Sequence, residues 1–71
     1  MDLLTITAID QHSSSTSGRT FSTDNADEFK KSVQEFEKEL PYKRYELVTE
    51  EFIEEYDDQI VKILDELEVQ Y

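Results

Sequence analysis

From residue 49 to residue 71 the apolar side chains return with the period of an α-helix. At about 100° per residue, Phe52, Ile53, Tyr56, Ile60, Ile63, Leu64, Leu67 and Tyr71 share an arc about 120° wide. Glu50, Glu51, Glu54, Glu55, Asp57, Asp58, Asp65, Glu66 and Glu68 spread over the opposite side, with Lys62 as the only base among them. Thr49 is the expected N-cap, and Glu50 and Glu51 suit the positive end of a helix. The pattern predicts a single amphipathic helix, so the rest of the chain must supply a surface that covers its apolar stripe. Val61 and Val69 are the exceptions: a continuous helix places both among the acids, on the wet side.

The remaining elements follow in order. Residues 3–9 read as a strand, with Leu4, Ile6 and Ala8 on one face and Thr5, Thr7 and Ile9 on the other. Residues 10–18 hold a row of serines and threonine closed by Gly18, which reads as a flexible loop. Residues 19–22 return as a short strand with Phe21 inward. Asn25 followed by Glu28 has capping-box spacing, and Ala26, Phe29, Val33, Phe36 and Leu40 form a helical stripe that Pro41 ends. Residues 42–48 read as a strand with Tyr45 and Leu47 on one face and Tyr42, Arg44, Glu46 and Val48 on the other. The expected fold is α+β: one domain over residues 1–71, a small sheet of two or three strands (β-β-α-β-α), and two amphipathic helices on one face. The second strand, the first helix and the third strand would form a βαβ unit. The other sheet face is expected to be open, with Ile9, Tyr42 and Val48 inviting a second copy, and hence a homodimer.

Charge limits the function. Eighteen acids against seven bases give a net charge of −11 in 71 residues. Such a chain repels nucleic acid and anionic membranes and attracts basic partners. There is no cysteine, hence no disulfide and no thiolate metal site. No signal sequence and no apolar run of about 20 residues is visible, so a cytoplasmic location is expected. No catalysis is expected. His12 neighbours Ser13, but adjacent loop residues fix no nucleophile–base geometry, and a single glycine makes no phosphate loop. No metal and no cofactor are expected either, because the carboxylates of one convex helix face diverge, whereas calcium needs six or more converging oxygens. Residues 59–64, Gln-Ile-Val-Lys-Ile-Leu, loosely resemble the peptides that dock in bacterial sliding clamps, but those bind extended and these residues keep a helical period.

The nine carboxylates between Glu50 and Glu68 carry the functional expectation. At about 1.5 Å per residue they would place one negative charge per roughly 3 Å, against a phosphate every 3.4 Å along one DNA strand. On the run from Glu50 to Asp58 and its continuation Asp65-Glu66-Leu67-Glu68, the chain resembles the small acidic proteins that phages make to disable host DNA-binding proteins. In size and charge it is most similar to the Bacillus phage inhibitor of the nucleoid protein HU, and next to phage inhibitors of the sliding clamp. The resemblance covers general character over the whole chain and transfers no binding residue. It implies a DNA mimic that blocks the DNA site of a basic host protein, in the host cytoplasm if phage-encoded. The residues expected to carry binding are Glu50, Glu51, Glu54, Glu55, Asp57, Asp58, Asp65, Glu66 and Glu68, with Val61 and Val69 as apolar contacts and Glu46, Asp24 and Asp27 as extensions. An antitoxin or adaptor that binds a basic protein through the terminal helix is the alternative.

Overall fold

The computed structural model describes residues 3–51 and 53–71. Strand β1 (Leu3–Asp10) and strand β2 (Thr16–Ser22) form an antiparallel hairpin. Helix α1 (Ala26–Glu39) leads to strand β3 (Tyr45–Val48), a 3-10 turn (Ile53–Glu55), helix α2 (Asp58–Glu66) and strand β4 (Val69–Gln70). The sheet runs β2-β1-β3-β4, with β1 antiparallel to both neighbours and β4 parallel to β3. The fold is α+β, but the expectation of two or three strands is wrong: the sheet is mixed and has four. The expected βαβ unit changes as well. Strand β1 lies between β2 and β3, so the adjacent parallel pair is β3 and β4, joined through α2.

Alternation along β1 buries Leu4, Ile6 and Ala8 completely. Their partners across the hairpin are Phe21, Arg19 and Ser17, which therefore share the inner face. The hairpin closes more tightly than the residue 10–18 loop read from the serines. The Asp10 N–H donates to the Ser15 carbonyl at 2.8 Å, and Thr16 to Gly18 already belong to β2. Helix α1 starts and stops where its sequence says. The Asn25 side chain accepts from the Glu28 N–H at 3.1 Å, and Leu40, the residue before Pro41, is the extended C-cap. Phe29, Val33 and Phe36 are buried against the sheet, and the Phe29 and Phe36 rings meet Phe21 edge-on at 6.1 and 5.7 Å. Arg19 lies over the Phe36 ring, 5.0 Å from its centre, and reaches Glu39 at 2.7 Å. Tyr42 is not on the open face: it packs against the core, and its hydroxyl shares a 2.9 Å hydrogen bond with the Ser17 hydroxyl.

The single helix over residues 49–71 does not form. Phe52 and the side chain of Ile53 lie outside the described residues. Ile60, Ile63 and Leu64 do face the core, as the apolar arc requires. Two breaks end the regularity on either side of them. Asp57 is extended (φ −59°, ψ 146°) and caps α2 by accepting from the Gln59 N–H at 3.1 Å. Glu68 takes a left-handed φ of 60°, which turns the chain out of the helix after Leu67.

Magnitudes explain both breaks. A continuous helix would set Glu50 over Glu54, Glu51 over Glu55 and Glu54 over Asp58, each pair costing about 0.2–0.5 kcal/mol. It would also leave Val69 wet. As the first residue of β4, Val69 pairs with Leu47 and is 4% exposed, a burial worth about 1.5–3 kcal/mol. The left-handed residue costs about 1–2 kcal/mol, which that burial offsets.

Two substitutions separate the strand from the helix. Val69→Asp should lower unfolding stability by about 3 kcal/mol or more in urea titration, whereas a wet helical position would change it by less than about 0.5 kcal/mol. Glu68→Gly should raise stability by about 0.5–1 kcal/mol by relieving the left-handed backbone, where a helix interior would lose about that much.

Candidate acidic interaction surface

The acidic segment is tied down at three points. Thr49, 7% exposed, donates its N–H to the Gln70 carbonyl at 2.9 Å, and its hydroxyl oxygen accepts from the Glu51 N–H at 3.4 Å. The Tyr56 hydroxyl donates to the Leu3 carbonyl at 2.6 Å, which fixes the segment to the start of β1. Asp57 then caps α2. Between these anchors Glu50, Glu51, Glu54, Glu55, Asp57 and Asp58 are all exposed. None of the six is ion-paired among the described residues, whose two ion pairs are Arg19–Glu39 and Lys30–Glu66. Asp57 and Asp58 also stand at the N-terminal, positive end of the α2 dipole.

The other three expected acids are elsewhere. Asp65 follows Asp58 by about 10 Å along the helix. Its carboxylate accepts from the Tyr71 hydroxyl at 2.8 Å, a bond that raises the phenol above its ordinary range. Glu66 holds Lys30 at 3.1 Å, and Glu68 projects from the turn into β4. The three therefore stand apart from the six exposed acids of residues 50–58, and phosphate-like spacing along one straight rod is absent. Val69 is in the core and Val61 is half-buried. Tyr71, assigned to the apolar arc, is 57% exposed. The stretch 59–64 cannot serve as a clamp-docking peptide while Ile60, Ile63 and Leu64 are buried. Of the extensions, Asp24 and Asp27 flank the start of α1, and Glu46 accepts from Gln11 at 3.1 Å.

Ile9 and Val48, read from the sequence as residues of the second sheet face, are the apolar contacts that accompany the acids. Glu50 and Glu51 border a depression on the sheet face turned away from the helices, lined also by Thr5, Thr7, Ile9 and Val48. Opposite strand partners share a face, so the Thr7–Val48 register was the missing signal.

The serine-rich turn is organised by Asp10. Its carboxylate accepts from the Ser13 hydroxyl at 2.5 Å and from the His12 and Ser13 N–H groups at 3.2 and 3.3 Å. These bonds, the Ser13 hydroxyl first, hold the Asp10 pKa below its ordinary value. His12 thus meets Asp10 through its backbone, and its exposed ring completes no nucleophile–base–orienter chain with Ser13. Burial, then a 3.0 Å bond to Glu37, raises the Tyr45 phenol. Among the described residues no group of three or more His, Asp or Glu side chains is placed to hold a metal ion, and no helix is long and apolar enough to cross a membrane. No protein-family model matches this chain, and no curated protein or solved structure shows significant similarity to it.

Because the folded Asp10 pKa is depressed, its contribution to stability is present above the unfolded carboxylate value of about 3.9 and is lost as pH falls through the folded value. Ser13→Ala should return the Asp10 titration, followed by NMR of its side-chain carbonyl, toward that ordinary value. Asp57→Ala should cost about 1 kcal/mol through loss of the cap, while Asp57→Asn, which keeps an acceptor, should cost less than half as much in the same urea titration.

Proposed function

We propose that this protein is an acidic inhibitor that occupies the DNA-binding surface of a basic protein and so competes with DNA. The observation that supports this reading is the cluster of six exposed carboxylates without ion pairs in residues 50–58. The charge of the whole chain points the same way. Sixteen of the eighteen acids, all but Asp2 and Asp10, fall in residues 24–71. The molecule thus has a strongly negative side and a nearly neutral hairpin, an asymmetry that orients a basic partner before contact.

The cluster is compact and anchored, which limits the side-chain entropy lost on binding. It follows a turn rather than a rod, so the mimicry rests on charge density over a patch and not on phosphate-by-phosphate register. Ile9 and Val48, beside Glu50 and Glu51, supply apolar contact at the margin. The resemblance in size and charge makes the nucleoid protein HU the first partner to test, and the sliding clamp the second.

Purified HU, titrated with the fluorescently labelled chain at 50 and 200 mM salt, tests the proposal. Affinity should fall at least tenfold between the two, though less steeply than for duplex DNA, whose condensed counterions a folded protein lacks. Unlabelled duplex should displace the chain. Glu50→Gln/Glu54→Gln/Glu55→Gln should weaken binding about tenfold or more, and Asp65→Asn should leave it unchanged. Binding that ignores DNA, or a triple variant that binds like the parent, would overturn the proposal and favour an adaptor acting through another face.

A further inference from the structure

Strand β2 is the edge of the sheet, and of the usual protections of an edge it carries one, an inward-pointing charge. It spans seven residues, about 23 Å, and contains no proline and no lysine. Its one charge, Arg19, points to the inner face, where Glu39 and the Phe36 ring hold it. The opposite edge, β4, is blunted by its length of two residues. Among the described residues, no strand or loop pairs with the outer side of β2.

The surface around this edge is also where the chain carries least charge. No acid occurs between Asp10 and Asp24. The hairpin face turned away from the helices carries Leu3, Thr5, Thr7 and Ile9 on β1 and Thr16, Gly18, Thr20 and Ser22 on β2, with no ionisable group among them; Glu50 and Glu51 border it on the β1 side, away from the β2 edge. In a twofold interface the same patch lies on both sides, so a chain of net charge −11 repels its own copy least where that patch is neutral. A face carrying residues 50–58 would set carboxylates against carboxylates.

We infer that two copies of this chain join through their β2 edges, antiparallel, so that the four-stranded sheet continues as eight strands. With Gly18 on the twofold axis, Thr16 lies opposite Thr20 of the second copy and Arg19 lies opposite Ser17, which keeps the two guanidinium groups apart. Strand addition satisfies the open N–H and C=O groups of the edge. The acidic residues 50–58 remain outside the junction, two clusters per dimer. This inference does not depend on the partner proposed above. Its salt response has the opposite sign, because salt screens the repulsion between two acidic copies while weakening attraction to a basic protein.

Sedimentation equilibrium on the purified chain tests it. The mass should rise from 8.4 kDa toward twice that value with concentration, and the association constant should increase roughly threefold or more between 50 and 500 mM salt. Thr16→Glu/Thr20→Glu, which places acids across the axis, should give a folded single chain. Thr7→Glu, on the same face but away from the edge, should still pair. Backbone amides of residues 16–22 should exchange more slowly with solvent as the parent protein is concentrated, a readout that needs no variant. A mass of one chain up to 1 mM, undiminished pairing of the double variant, or loss of pairing in Thr7→Glu would each overturn the inference.

Discussion

Two residues near the end of the chain, Val69 and Gln70, add a strand beside Leu47 and Val48, and the placement of the acids that follow β3 depends on it. A strand there needs the chain to leave α2 after Leu67 and return along the sheet. That return shortens the helix to residues 58–66 and fixes its direction, because a parallel neighbour requires a crossover. The same closure ties Thr49 to Gln70, so the segment that follows β3 starts from a buried, hydrogen-bonded residue. Apolar burial at one valine thus decides whether the carboxylates form a line or a cluster.

Electrostatics sets the second level. The core is one continuous cluster that includes Phe21, Phe29, Phe36, Ile60 and Leu64, and it must tolerate a surface that repels itself. The chain meets this by spending its few bases locally. Lys30 joins α1 to α2 through Glu66, and Arg19 joins β2 to α1 through Glu39 and Phe36. Both pairs are largely solvent-exposed and contribute little to stability one by one. Their consequence is where they leave no base: residues 50–58 hold six carboxylates that nothing in the described fold neutralises. The nearly neutral hairpin adjoins this segment at β1, where Glu50 and Glu51 border Thr5, Thr7 and Ile9.

Much of the fold is legible in the sequence because local chemistry and the tertiary environment agree. Asn25, the stripe from Ala26 to Leu40, and Pro41 specify α1 at both ends, and alternation specifies β1. The terminal stretch misleads because its apolar residues do face the core at Tyr56 and over residues 60–67, while the helix that the period implies is broken at Asp57 and Glu68. Asp57 is a cap, but it is one acid among many, and no residue marks it out. The left-handed turn falls on Glu68 where a glycine would have announced it. A two-residue strand leaves no periodicity to detect. The acids of residues 50–58 are legible in composition, whereas the Lys30 pair and the left-handed turn that set Glu66 and Glu68 apart are not. The apolar margin beside those acids is not legible either, because Ile9 and Val48 meet Glu50 and Glu51 only through strand register.

Nuclear Overhauser contacts in the terminal stretch test this account most directly. The fold described here predicts contacts between the backbones of Leu47 and Val69, a slowly exchanging Thr49 amide, and helical i to i+3 contacts confined to α2 and the short turn before it. Unbroken helical contacts from residue 50 to residue 71, with none between Val69 and Leu47, would contradict it and restore the acids to a single straight face.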